Sequence, residues 1–158
     1  MPPSPSDLPG LDELLALERQ ARRQGSGLVE SDLLGIWTPE RIWRRAARQG
    51  SPLAEVLLRG LGATLRIEAA ADGEGLRLSN AVRLGPLGLC FREPARLEGR
   101  RPLLLFQPER LEIRAGERLL LGRSLGQRQM RRQPFLALIA CGPQGAWLAA
   151  RGRSGGLA

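Results

Sequence analysis

The chain contains no lysine, no histidine and no tyrosine, and all 24 of its basic residues are arginine. Without histidine there is no Ser-His-Asp triad, no imidazole general base and no histidine-based metal site. Without lysine there is no Schiff-base chemistry and no P-loop lysine. Aromatic residues make up only 4% of the sequence, too few for a nucleic-acid stacking platform. No run of about 18 apolar residues occurs, so no membrane-spanning helix is expected. The opening Met1-Pro2-Pro3-Ser4-Pro5-Ser6-Asp7 lacks the charged start and apolar stretch of a signal peptide, and an intracellular chain is expected. The two cysteines, Cys90 and Cys141, stand too far apart for a CxxC pair. A disulfide between them and two reduced core thiols are the alternatives, the second favoured in a chain with so few cysteines. Paired carboxylates for acid–base work are not recognisable, since most glutamates alternate outward on strands. A protein that is not an enzyme, with no metal or cofactor, is expected.

What is present fits one domain with one core. The chain has 158 residues, 42% of them hydrophobic, and leucine supplies most of the bulk. The arginine, alanine, glycine and leucine bias is that of a GC-rich coding sequence, so no single arginine counts as a functional signal. The charge is uneven. Residues 1–34 hold six acids and three arginines, a net of −3, and the rest holds 21 arginines and 10 acids, a net of +11. Arg118, Arg123, Arg128, Arg131 and Arg132 fall in one stretch with no acid between them. Such a stretch suits anionic lipid headgroups or nucleic-acid phosphates. The alternative is a solvated loop.

Residues 1–6 read as a disordered lead. Leu8, Leu11, Leu14, Leu15 and Leu17 have helical spacing, with Ser6 or Asp7 as N-cap and Gln24-Gly25-Ser26-Gly27 as the stop. A second short helix is expected from Leu28 to Leu34. These two form an arm (residues 1–34) that packs either across the open end of a barrel or on its outside. Gly35-Ile36-Trp37 then opens the main domain, residues 35–158. The glycine is expected to let backbones approach closely and the indole to plug one end of the barrel. Thr38-Pro39-Glu40 starts either a helix over Arg41 to Arg48 or the bend of a longer first strand. Pro52 to Leu61 has helical spacing.

From Ala63 onward the period is two. Strands are expected at Ala63 to Ala69, Leu76 to Leu84, Leu87 to Phe91, Arg101 to Gln107, Leu111 to Ala115, Glu117 to Leu121, Phe135 to Cys141 and Ala146 to Arg151. Asp72-Gly73, Gly85-Pro86, Gly99, Pro108, Gly116 and Gly142-Pro143-Gln144-Gly145 punctuate them. The expected fold is mainly β, a small antiparallel barrel with an N-terminal helical arm. Gly155-Gly156-Leu157-Ala158 looks like the start of a further strand cut short.

Gly35-Ile36-Trp37 at the front, Leu78-Ser79-Asn80-Ala81-Val82 in the middle and Arg151-Gly152-Arg153-Ser154-Gly155 at the back resemble the plastid lipid-associated protein (fibrillin) family. The last motif matches the family's Arg-Gly-x-x-Gly strand. The acidic residue that usually precedes it is missing, and so is the final apolar strand. The resemblance implies a lipocalin-like (calycin) barrel that binds prenyl lipids, carotenoids or quinones and attaches to thylakoids or lipid droplets. Without a transit peptide it implies a cyanobacterial member, cytoplasmic and peripheral to the thylakoid membrane. It also implies that an arginine of the last strand, here Arg151, packs on the Trp37 indole.

The residues expected to line a ligand are Trp37, Leu65, Ile67, Leu78, Asn80, Val82, Phe106, Phe135 and Arg151; for each the alternative is plain core. Asn80 shares the inward face of Leu76, Leu78 and Val82 and must find a partner, either a ligand oxygen or, in the favoured reading, a backbone turn. Arg118, Arg123, Arg128, Arg131 and Arg132 are expected to meet an anionic membrane surface. The partners are thus a small hydrophobic ligand and a membrane, and no nucleic acid is expected. Three other functions stay open: a bilin lyase or chaperone of the same fold, a basic nucleic-acid module, and a filled barrel serving as a structural partner of a photosynthetic complex.

Overall fold

The longest helix among the described residues forms where leucines recur at helical spacing. In the computed structural model, which describes residues 7–44, 60, 62–125, 133–153 and 155–158, the first helix is α1, Leu11–Gln24. Acids in its first turn (Asp12, Glu13) and arginines in its last (Arg22, Arg23) complement the helix dipole. It starts later than the expected caps: Gly10 is the N-cap and makes no side-chain bond. Pro9 precedes it and biases Leu8 toward extended backbone, so the helix cannot begin at Asp7. Gly25 ends α1 at φ +84°, and a Cβ there would meet the Arg100 carbonyl oxygen at 2.5 Å. A single turn, α2 (Glu30–Leu33), follows, with the Asp32 carboxylate accepting from the Val29 N–H at 2.9 Å.

The sheet has nine strands: β1 Gly35–Trp37, β2 Thr64–Ala69, β3 Leu76–Leu84, β4 Leu87–Glu98, β5 Leu103–Phe106, β6 Arg110–Ala115, β7 Arg118–Ser124, β8 Phe135–Cys141 and β9 Leu148–Gly152. All pairings are antiparallel, and the sheet curls on itself as a lipocalin-like half-barrel. Trp37 pairs with Leu65, and Leu65 with Asn80, so the Gly-Ile-Trp unit is an edge strand. Gly35 has nothing within 4 Å of where a Cβ would sit; its φ of +145° requires glycine, not a close approach. Arg41 to Arg44 are not helical: Trp43 makes an isolated bridge with Leu157. The remainder of that expected helix, and Pro52 to Leu61 apart from Gly60, lie outside the described residues, as does the lead at 1–6. The segment that ends the chain is an extended return. Leu157 bridges both Arg151 and Trp43 and is buried.

β4 is longer than expected and divides the sheet. Along one edge, Leu87 to Ala95 pair with β3. Along the other, Leu87 to Arg92 pair with β6 and Ala95 to Glu98 pair with β5. Pro94 stands at the division. Its carbonyl accepts from the Gln107 N–H, so its missing N–H would have faced the same side. No ladder bond is lost, because the crossing from β5 to β6 passes there. One arm is then β5–β8–β9 and the other β6–β7.

The main core lies on the concave face: Leu33, Ile67, Leu76, Leu78, Ala95, Leu104 and Leu138, with Leu28, Trp37 and Leu148 packed against them. A second cluster joins Leu14 of α1 to Trp43, Ile139, Ala149 and Leu157 on the outer side of β8 and β9. Of the two placements open to the arm, α1 therefore takes the outside. Only Leu28 and Leu33 enter the main core.

Candidate functional site

Three buried acids, Glu18, Glu93 and Glu112, mark the places where polar chemistry enters this fold. Glu18 of α1 is turned toward the outer face of β9. Arg151 donates to it from Nε at 2.7 Å and from Nη2 at 2.6 Å, and Arg101 and Arg22 add bonds at 3.1 and 3.0 Å. The bidentate Arg151 bond outweighs burial, and with Arg22 it lowers the carboxyl from 4.5 to about 2. This corrects the expected packing of Arg151 on Trp37. The Arg151 guanidinium is held by Glu18 and, through Nη1, by the Gly155 carbonyl at 2.8 Å. The Trp37 indole N–H donates instead to the Leu33 carbonyl at 2.8 Å. The shallow concavity of about 620 Å³ beside this cluster is open and lined by Asp12, Glu18, Arg19 and Arg22. Glu18, Arg22 and Arg151 are paired with one another there, which makes the cluster a structural clamp between α1 and β9.

Glu93 is the opposite case. It is 1% exposed and faces inward from β4 at the division of the sheet, opposite Leu78. Asn80 Nδ2 donates to its Oε1 at 2.8 Å, and its Oε2 has no partner. Burial pushes the carboxyl up to about 7, against the smaller opposing pull of the Asn80 bond. Asn80 thus bonds a carboxyl, not a backbone turn as expected. The correction follows from the length of β4, which carries a carboxyl to the same inward face.

From Glu93 the inward face runs away from the packed core along β4 as Phe91, Leu89 and Leu87. Register places Asn80, Val82 and Leu84 of β3 beside them, and Leu111 and Ile113 of β6 on the other side. Coverage falls along this track: Leu78 is 0% exposed, Phe91 and Leu89 are half-buried, and Leu87 and Leu84 are 45% and 71% exposed. On β7, the outer edge of this arm, Leu119, Leu120 and Leu121 are 42–52% exposed, although neighbouring residues of a strand face opposite sides. Neither face of β7 is covered. The opposite face of β6 is cationic, with Glu112 set among Arg92, Arg110 and Arg114 at 3.0 to 3.7 Å. Burial would raise that carboxyl, but the guanidiniums hold it below the ordinary range.

Of the residues expected to line a ligand, Ile67 and Leu78 are fully buried core, and Trp37, Leu65 and Phe106 pack against it. Val82 and Phe135 are half-buried. Only Asn80 and Val82 adjoin the uncovered track. Arg118 and Arg123 lie on β7 rather than in a loop, because that strand continues to Ser124. Arg128, Arg131 and Arg132 lie outside the described residues. Cys90 and Cys141 are free and half-buried, and burial pushes the Cys141 thiol up, away from reactivity. No cluster of metal-ligating side chains occurs among the described residues, and no helix among them is long and apolar enough to cross a membrane.

Sequence reasoning missed Glu93 because it ended the strand at Phe91, before Pro94. The inward alternation Leu89, Phe91, Glu93, Ala95 was the signal. It missed Glu18 because the helix read as an apolar stripe. The three consecutive leucines of β7 could have been flagged, since an alternating strand cannot bury all of them on one face. Family models, curated proteins and solved structures offer no match to this chain.

Proposed function

We propose that this protein is a non-catalytic binder of apolar molecules that attaches peripherally to anionic membrane surfaces through the β6–β7 arm. One observation carries the reading: the apolar face of the sheet leaves the packed core with Leu84 and Leu87 exposed at the ends of β3 and β4, and Leu119 to Leu121 stand exposed on β7 of the arm. Contiguous exposed leucines on a monomer mark an interaction surface. Arg118 and Arg123 bracket the β7 leucines, and the chain carries a net charge of +8. Apolar side chains flanked by arginine suit the boundary between acyl chains and anionic headgroups, where each basic residue contributes ~1 kcal/mol.

The fully buried Ile67, Leu78, Leu104 and Leu138 leave the ligand its place on the uncovered track rather than in the middle of the core. The resemblance of Gly35-Ile36-Trp37 and Arg151-Gly152-Arg153 to plastid lipid-associated proteins supports prenyl lipids, carotenoids or quinones as the ligand. It also supports a thylakoid-type membrane as the surface.

Flotation with phosphatidylcholine vesicles, with and without phosphatidylglycerol, tests the attachment. The expected result is binding to the anionic vesicles that weakens with salt, and that a Leu119→Ser/Leu121→Ser variant loses. Absence of flotation at low salt would sink the attachment.

A further inference from the structure

The Glu93–Asn80 pair lies at the base of the uncovered track. A carboxyl removed from water with one oxygen unpaired costs stability that a leucine there would not. It is also specifically placed. Glu93 stands where the packed core ends and the run of half-buried Phe91 and Leu89 and exposed Leu87 begins. At about 3.4 Å per residue the track from Glu93 to Leu87 spans roughly 20 Å, the length of an elongated apolar molecule. Asn80 donates to Oε1 and so fixes which oxygen is left over, Oε2, an atom buried and unpartnered.

We propose that Glu93 and Asn80 form the anchor for a carbonyl oxygen on the apolar molecule held against this track. This rests on the reading of the arm's inner face as an apolar binding surface, and adds the chemical class of the ligand's polar end. The inward neighbours of Glu93 are Leu78 and Asn80 on β3, Phe91 and Ala95 on β4, Phe106 on β5 and Leu111 on β6, all uncharged. Nothing among them stabilises a carboxylate except the Asn80 amide, so the buried group keeps its proton below about pH 7. With Oε1 engaged as acceptor, that proton sits on Oε2 as a hydroxyl donor with no acceptor. Its complement is a neutral oxygen acceptor such as a ketone or quinone carbonyl. A cationic group is disfavoured by the positive charge of the chain.

The test is fluorescence titration with two probes. One is propionyl dimethylaminonaphthalene, an apolar ketone whose emission reports hydrogen bonding at its carbonyl. The other is its propyl analogue, which lacks that oxygen. The wild type is expected to bind the ketone roughly tenfold tighter than the analogue, as one buried hydrogen bond allows. The preference should survive in Glu93→Gln, whose amide N–H still donates, and vanish in Glu93→Leu. Between about pH 6 and pH 9 the wild type should lose the preference as the donor proton leaves, while Glu93→Gln keeps it. Equal binding of both probes, or a preference retained in Glu93→Leu, overturns the anchor and leaves apolar binding standing. If neither probe binds the folded wild type, both readings fall.

Discussion

The two arms into which the sheet divides at Pro94 are built from similar residues and end in opposite states. In β8, Leu138 and Ile139 face opposite sides and are 0% and 2% exposed. In β7, the same kind of neighbours, Leu120 and Leu121, are both 52% exposed. Strand composition does not separate them. The difference is what lies on each side. Leu14, Glu18 and Ala21 of α1 cover the outside of β8 and β9, and Leu33 and Leu104 fill the inside. Two of the buried acids also contrast, Glu18 of α1 and Glu93 at the division of the sheet. Glu18 meets three guanidiniums and is held ionised, whereas Glu93 meets one amide and is pushed toward neutrality. The covered arm is packed on both sides, and the uncovered arm leaves its leucines exposed.

The comparison breaks first in the covered arm. Leu138→Ala should destabilise by about 4 kcal/mol, since the site is closed on every side and cannot collapse freely. Denaturant unfolding measures it, and a cost under ~1 kcal/mol would mean that this arm is not the packed one. Next comes Glu18→Gln. The folded carboxyl titrates near 2 and the unfolded one near 4.5, so its stabilisation is full above pH ~4.5 and is lost as the pH falls toward 2. The variant should lose about 3 kcal/mol at neutral pH, or roughly 6–12 °C in Tm, and converge with the wild type in acid.

Glu93→Gln should act with the opposite sign. The raised carboxyl keeps its proton in the folded state, so wild-type stability is full below pH ~4.5 and falls as the pH rises through about 7. The variant should match the wild type in mild acid and exceed it by roughly 3 kcal/mol near pH 9. Thermal melts across pH decide this; parallel curves would place Glu93 in water. The smallest effect belongs to the uncovered arm. Leu120→Ser should change stability by less than about 0.5 kcal/mol while reducing association at high concentration. A cost comparable to that of Leu138→Ala would show that β7 is covered after all.

The period-two alternation from Thr64 to Gly152, the turn glycines and the N-terminal leucine stripe sufficed to predict an antiparallel barrel with a helical arm, because each is a local property of the chain. β3 and β8 begin and end where the alternation does. Composition likewise excluded histidine and lysine chemistry outright. What the tertiary structure decided was every relation that needs two distant segments at once. Pro94 reads locally as a strand breaker, and only the crossing from β5 to β6 beside it removes the need for its N–H. Arg151 reads as a partner for Trp37 until α1 lies on β9 and presents Glu18. The leucines of β7 read like those of β8, and whether a leucine is core or surface depends on what packs over it, which no window of sequence contains.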